Sequence, residues 1–421
     1  MDNKLLHTPE GVRDIYNSEC NKKLTISDSL SDTIKSYGYH AIQTPTFEFF
    51  DIFSKEIGTT PSKELYKFFD KNGETLVLRP DMTPSVARCA AKYFMEEATP
   101  LRLFYMGNTF INRNANYQGR LNESTQIGAE LICDSTVEGD TEIVAMIINC
   151  LQNANLTEFQ VSIGEVNFFK SILIEAGIDE EDELTLRELI SNKNMFGVEE
   201  FLNEKKLSKE LSNVLSKLPS MFGQLEVLEE AKKLTNNKGA LAAIKRLEDL
   251  YERVKLYGLE KYISFDLGML SMYKYYTGVI IKAYTYGVGE PIVTGGRYDK
   301  LLKSFGKDAP SIGFMISIDQ LMSALSRQKI EVETPCNNIV ISYTIDNYDV
   351  AIKTAIKLRS QRINVALLLK DSNIIDYAKK NDITGILEII KEGSYSYMNV
   401  KSEATFVVDE KDITADILGR A

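Results

Sequence analysis

The sequence contains no tryptophan and only two histidines, His7 and His40, both near the N-terminus. With so few imidazoles, a Ser-His-Asp or Cys-His catalytic arrangement is not expected. Its five cysteines (Cys20, Cys89, Cys133, Cys150 and Cys336) are scattered, with no Cys-x-x-Cys pair. Neither a zinc site nor a disulfide framework fits that spacing, and dispersed thiols in apolar surroundings read as reduced and mostly buried. No metal or cofactor is expected. The longest apolar runs, such as Ile143 to Ile148 and Val365 to Leu369, fall far short of the roughly 20 residues that cross a bilayer. The first residues lack a basic segment followed by an apolar core and a small-residue cleavage site, so a cytoplasmic location is expected. Positive charge is short as well: 49 Lys and Arg against 60 Asp and Glu give a net charge of −11. Segment 336–421 holds 11 basic and 12 acidic residues, so no basic domain stands at the C-terminus. Binding to a nucleic acid is therefore not expected.

What is present fits two or three globular domains: 421 residues, 44% hydrophobic and 26% charged. Residues 18–37 place Cys20, Leu24, Leu30, Ile34 and Tyr37 at helical spacing, with Gly38 as the stop. From Tyr39 to Phe50 the chain reads as extended and interrupted by Pro45, which suits an edge strand or a strand leading into a subunit contact. Three β-rich runs follow at Thr75 to Leu78, Leu101 to Met106 and Thr125 to Ile132. Their succession predicts an antiparallel sheet with helices on one side, an α+β fold. From Leu184 to Leu259 the pattern is helical, with Leu241, Ile244, Leu247, Tyr251 and Val254 on one face and no strand signal, which marks an insertion. Strand patterns return at Tyr262 to Asp266, Tyr275 to Tyr286, Pro291 to Thr294 and Ser311 to Ser317. Beyond Thr334-Pro335, strand and helix alternate through residue 390, which predicts a small α/β domain.

Three segments carry candidate chemistry. Gln126, Gly128 and Glu130 share one face of a strand, with Gly128 leaving a hollow between two polar groups that can grip a small polar ligand. Leu78-Arg79-Pro80-Asp81-Met82-Thr83-Pro84 is a stiff loop whose Asp81 and Thr83 suit an ammonium group; equally, Thr83 reads as a plain helix cap. Tyr275-Tyr276-Thr277-Gly278 and Thr294-Gly295-Gly296-Arg297-Tyr298-Asp299 flank a predicted hairpin. The second of these reads as a glycine turn feeding a helix, able to hold an anion but lacking the lysine of a phosphate-binding loop.

Together these pieces resemble the catalytic core of a class II aminoacyl-tRNA synthetase, specifically the histidyl enzyme. The likeness runs from Pro9-Glu10-Gly11-Val12-Arg13-Asp14, through the Pro45 region that matches the dimer-forming first motif, to Ser311-Ile312-Gly313-Phe314 in the third. It implies a core over residues 1–326 with a helical insertion at about 180–260, and a truncated anticodon-binding-like domain over 336–421. By this resemblance Asp81 and Thr83 stand where the family grips the α-amino group, Asp81 being one methylene shorter than the usual glutamate. Gln126 and Glu130 match the residues for the amino group and imidazole, and Tyr275, Tyr276, Arg297 and Tyr298 match its two histidine signature segments.

The family's phosphate-binding arginines do not carry over. Ile111 follows Phe110 where an arginine is expected, Ser271-Met272-Tyr273-Lys274 replaces Arg-Gly-Leu-Asp, and Asp319-Gln320-Leu321 replaces the acidic-Arg-Leu of the third motif. Losing one preorganised donor commonly costs on the order of 3 kcal/mol of transition-state stabilisation, so adenylation is not expected. Arg113 and Arg120 remain as candidate anion-binding residues. A histidine pocket without ATP machinery is the pattern of the synthetase-like regulatory subunits of ATP phosphoribosyltransferase. That resemblance implies histidine biosynthesis, a short catalytic subunit as partner, L-histidine as feedback ligand, a homodimer within a larger hetero-oligomer, and no tRNA. The alternative is a divergent histidyl-tRNA synthetase that still activates histidine.

Overall fold

The computed structural model describes residues 6–53, 60–113, 121–270, 276–334, 338–370 and 373–409. Ile26, Leu30 and Ile34 bury one stripe of α1 (Asn17–Ser36), and the chain leaves it through Gly38, whose φ of 82° suits a residue without a Cβ. The extended segment that follows divides at Pro45. β1 (His40–Ala41) pairs with the edge of the main sheet, whereas β2 (Phe47–Phe49) joins β3 (Lys67–Phe69) and β4 (Thr75–Leu78) in a small sheet of order β2-β4-β3. The run Thr75 to Leu78 is thus a strand outside the main sheet, because β2 and β3 occupy both of its edges.

After α2 (Thr83–Tyr93) come two ten-residue strands, β5 (Leu101–Phe110) and β6 (Glu123–Ile132), then α3 (Val137–Asn153), β7 (Gln160–Glu165) and α4 (Val166–Ala176). The insertion is α5 (Glu180–Ser191), α6 (Met195–Lys205), α7 (Lys209–Lys217), a two-residue β8 (Phe222–Gly223), α8 (Glu226–Leu234) and α9 (Lys238–Leu256). β9 (Ile263–Asp266), β10 (Val279–Tyr284), β11 (Val293–Arg297), β12 (Ser311–Ser317) and α10 (Ile318–Arg327) complete this part of the chain.

The main sheet has the order β1-β5-β6-β12-β11-β10-β7-β9-β8, antiparallel throughout β5 to β7 and parallel where β7 meets β9. Alternation gives it two unlike faces. Ile127, Ala129 and Leu131 on β6, with Ile312 and Ile316 on β12 and Val161 and Ile163 on β7, are fully buried. α3, whose residues Ile143 to Ile148 are all buried, packs against β12 and α9, and α9 packs on α4 and β7. The intervening residues, Gln126, Gly128 and Glu130 among them, line the other face.

The chain separates into two compact units, Met1–Asp14 with Ile26–Glu331 and Ile15–Thr25 with Val332–Ala421. In the second unit β13 (Asn338–Tyr343), α11 (Tyr348–Ser360), β14 (Asn364–Leu369), α12 (Ile374–Lys380) and β15 (Gly385–Lys391) alternate as expected. β16 (Ser394–Asn399) and β17 (Thr405–Asp409) then extend the sheet, in the order β14-β13-β15-β16-β17. No helix among the described residues is long and apolar enough to cross a membrane.

Candidate functional site

A cavity of about 160 Å³ opens on the polar face of the main sheet, lined by Asp81, Thr83, Arg113, Gln126, Glu130, Tyr276 and Tyr298. A void of about 150 Å³ holds a single aromatic ring, so the space suits a small ligand. Asp81 and Thr83 reach it because Arg79 stiffens their loop. Its buried guanidinium donates to the carbonyls of Thr44 at 2.9 Å, Pro45 at 3.1 Å and Asn108 at 2.9 Å. Gly107 leaves room for that guanidinium.

Glu130 is the floor of the cavity and is 1% exposed. Thr83 Oγ1 donates to its Oε1 at 2.8 Å, and the Tyr298 hydroxyl donates to its Oε2. Thr83 therefore does not cap α2: that helix begins after Met82 without a side-chain cap, and the hydroxyl is spent on Glu130. Burial pushes the Glu130 carboxyl up to about 8, against the pull of the two hydroxyls, and the nearby Asp81 charge adds to the rise. Asp81 in turn accepts the Thr83 backbone N–H at 3.3 Å.

The hollow expected at Gly128 exists but is occupied. Tyr105, its cross-strand partner on β5, fills it with a fully buried ring, and the hydroxyl lies 2.5 Å from where a Gly128 Cβ would stand. That hydroxyl has no well-formed hydrogen bond, although Glu130 and Thr83 are beside it. Gln126 Oε1 is likewise buried without a donor among the described residues. Of these two polar atoms, the Gln126 oxygen belongs to a residue that lines the cavity and stands ready for a ligand, whereas Tyr105 lies behind the wall. Tyr105 escaped the sequence reading; the signal was the alternation of Leu103, Tyr105 and Gly107, which puts a lone hydroxyl opposite a glycine.

Two sequence expectations change. Gly295 and Gly296 are not a turn feeding a helix but lie within β11, between β10 and β12. A Cβ at Gly295 would stand 2.5 Å from the Gly313 carbonyl, and at Gly296 (φ 155°) 2.7 Å from the Tyr276 ring, so the pair exists for close packing under the cavity. Arg297 is not brought to the cavity. Its side chain, 3% exposed, meets Asp140 of α3 at 2.5 Å, the Asp134 carbonyl at 2.7 Å and Asp299 at 3.2 Å. Asp140 also receives Arg246 of α9, at 2.7 Å from Nε. Strand alternation explains the outcome, since Arg297 and Tyr298 are consecutive and point to opposite faces. Tyr275, Arg120 and Ser271 to Lys274 lie outside the described residues. Arg113 lines the cavity and donates to the Leu121 carbonyl at 3.1 Å. Ile111 also lines it, at the place where the resemblance calls for an arginine.

The family model described as histidyl-tRNA synthetase matches residues 11–321. The ATP phosphoribosyltransferase regulatory subunit of Ruminiclostridium cellulolyticum is 40% identical over 95% of this chain and 96% of its own length. The chain belongs to that regulatory-subunit family, a histidyl-tRNA synthetase-like branch of the class II fold. The regulatory subunit of Acetivibrio thermocellus is 37% identical over 94% of the chain and 95% of its own. A solved structure from Bacillus halodurans C, titled ATP phosphoribosyltransferase regulatory subunit/histidyl-tRNA synthetase, superposes with a TM-score of 0.81 at 31% identity, over 92% of this chain and 98% of that one. The histidyl-tRNA synthetase of Nostoc sp. PCC 7120 shares the fold with a TM-score of 0.84 at 20% identity, over 99% of each chain.

Proposed function

We propose that the chain is a non-catalytic regulatory subunit of ATP phosphoribosyltransferase, acting at the first step of histidine biosynthesis. It activates a short catalytic subunit and binds L-histidine as the feedback inhibitor. The observation that carries the histidine reading is Glu130: a buried carboxyl, held by two hydroxyls at the floor of a ring-sized cavity, with Asp81 and the open Gln126 oxygen at its wall. L-histidine offers groups this arrangement can accept, an imidazole N–H for Glu130 and an ammonium for Asp81 and Gln126. Ile111 in the cavity wall, in place of a phosphate-binding arginine, supports binding without adenylation. Feedback requires that histidine bind the inhibited complex more tightly than the active one, because equal affinity shifts no equilibrium.

A homodimer within a larger hetero-oligomer is part of this reading. Phe47 and Phe49 on β2 are more than half exposed and share one face of the small sheet with the partly exposed Phe68 of β3, whose ring lies 5.8 Å from that of Phe47, an apolar face of the kind that subunit contacts cover. Calorimetric titration with L-histidine, with ATP as the control titrant, tests the pocket. Saturable histidine binding without ATP heat, followed by histidine-sensitive activity on adding a short phosphoribosyltransferase, is the expected result. Histidine-dependent exchange of pyrophosphate into ATP would instead establish the alternative, a divergent synthetase.

A further inference from the structure

We propose that the polar face of the main sheet carries a second small-molecule subsite, centred on Lys282, that takes the phosphate group of a phosphorylated ligand. The strand registers place Met315, Thr294, Lys282, Ser162 and Ser264 side by side in one row across five neighbouring strands. Met315 and Thr294 line the cavity described above; the last three lie beyond it. Directly opposed side chains in a sheet have Cβ atoms about 5 Å apart, so Lys282 stands between the hydroxyls of Thr294 and Ser162.

The chemistry of this row is one-sided. Lys282 is half-buried, and its ammonium makes no hydrogen bond or ion pair among the described residues. Its charged neighbours are Asp266 and Lys193, and these satisfy each other: Lys193 Nζ is 3.0 Å from both Asp266 oxygens, one of which also accepts the Gly268 N–H at 3.0 Å. The positive charge of Lys282 is left over. Ser162 and Ser264 share a single hydrogen bond at 2.9 Å, so one of the two keeps an unused O–H. The Thr294 hydroxyl has no partner among the described residues. Ammonium and hydroxyl donors from neighbouring strands, with no acceptor assigned to them, define a place for an anion. Donors spread along a row match a tetrahedral phosphate with three terminal oxygens better than a planar carboxylate with two. Burial lowers the affinity of Lys282 for its proton, a cost that a bound anion removes.

This subsite is separate from Glu130. Three strand steps of about 4.8 Å put β10 roughly 14 Å from β6, so the proposal does not depend on histidine being the ligand of the cavity.

The test uses the full-length protein with inorganic pyrophosphate as probe and citrate as the carboxylate control, in calorimetric titrations of the unsubstituted chain, K282Q and K282R. Saturable pyrophosphate binding that weakens about tenfold or more in K282Q, and holds within a few-fold in K282R, is expected from the loss of a charge-assisted contact. Thermal melts of the three proteins should coincide. Pyrophosphate binding unchanged in K282Q, or none that saturates in the unsubstituted protein, overturns the proposal. So does citrate binding as tightly as pyrophosphate and being lost with Lys282, which would make the subsite one for carboxylates. Histidine titrated into the same samples should bind K282Q and the unsubstituted protein alike; its failure in both would remove the histidine reading and leave the Lys282 result standing.

Discussion

Glu130 and Gly313 are cross-strand partners, and the Glu130 carboxylate fills the space that a Cβ on Gly313 would occupy. The glycine is required by the carboxylate, not by its own backbone, which is ordinary extended strand. Replacing Gly313 by alanine should therefore act on the cavity first. Overpacking typically costs about 1–3 kcal/mol, and relief requires Glu130 to leave its two hydroxyl donors and the Ala129 carbonyl, 2.7 Å from the same point, to give way. G313A is expected to lose histidine binding by at least about tenfold while still folding, as read by calorimetry beside a urea melt; undiminished affinity would mean that Glu130 does not hold the ligand.

The raised Glu130 carboxyl gives stability a definite pH dependence. Its ordinary value is 4.5, and burial moves it to about 8 in the folded state, so the fold favours the protonated form. The contribution is complete below the unfolded value and is lost as pH rises through the folded one. Glu165, pushed up to about 7 mainly by burial, adds loss of the same sign. Unfolding free energies from urea melts between about pH 5 and pH 9 should fall by an amount on the order of a few kcal/mol, and E130Q should flatten much of that fall. Parallel curves for the two proteins would contradict the burial account.

Arg297 tests the difference between the sequence reading and the fold. Removing one partner of a buried ion pair commonly costs about 3–5 kcal/mol, and here it would leave Asp140 with Arg246 alone. R297M should melt at a distinctly lower temperature, yet the protein still folded in the cold should bind histidine within about threefold of normal. The opposite pattern, an intact melt with lost affinity, would return Arg297 to the ligand.

Lys307 offers a stability test remote from any ligand. Its ammonium, 5% exposed, donates to the carbonyls of Phe94 at 2.8 Å, Met95 at 3.0 Å and Glu97 at 2.6 Å, just beyond the C-terminus of α2. K307M removes three hydrogen bonds to carbonyls of surface residues, each with a net worth of about 0.5–1.5 kcal/mol, or somewhat more for a charged donor. The denaturant midpoint should drop with an unchanged slope, and a neutral result would show that water replaces the lysine.

The parts of this molecule that were legible in the sequence are those where a short period repeats without interruption. Ser311–Ser317 matches the observed strand residue for residue, and the alternation read beyond Pro335 reappears as β13, α11, β14, α12 and β15. The shared face of Gln126, Gly128 and Glu130 follows from the same alternation, and the cavity is built on it. Gln160–Glu165 was missed because its burial pattern on entering α4 breaks the two-residue period. Gly295 and Gly296 misled because glycine signals a turn unless something must pack against it, and what packs here, Gly313 and Tyr276, is distant in sequence. The destination of Arg297 depended on Asp140, 157 residues earlier, a pairing that no local pattern encodes.

β7 and β9 lie side by side and parallel, although the whole insertion separates them in the chain. Parallel neighbours cannot be joined by a tight turn and need a crossover of a dozen or more residues. α4 leaves the sheet and α9 returns to it, packed on each other, and these two helices alone meet that need. Everything between them is an excursion that begins and ends on the same helical pair. Lineages could lengthen, shorten or exchange α5 to α8 while the strands under the cavity kept their register, giving up the two-residue edge strand β8, the Lys193 contact to Asp266, the Ser191 bond to the Leu270 carbonyl, the Arg187 stacking on Phe169 and the Lys232–Glu248 pair between α8 and α9. The topology thus separates the portion of the gene constrained by ligand from a portion open to experiment.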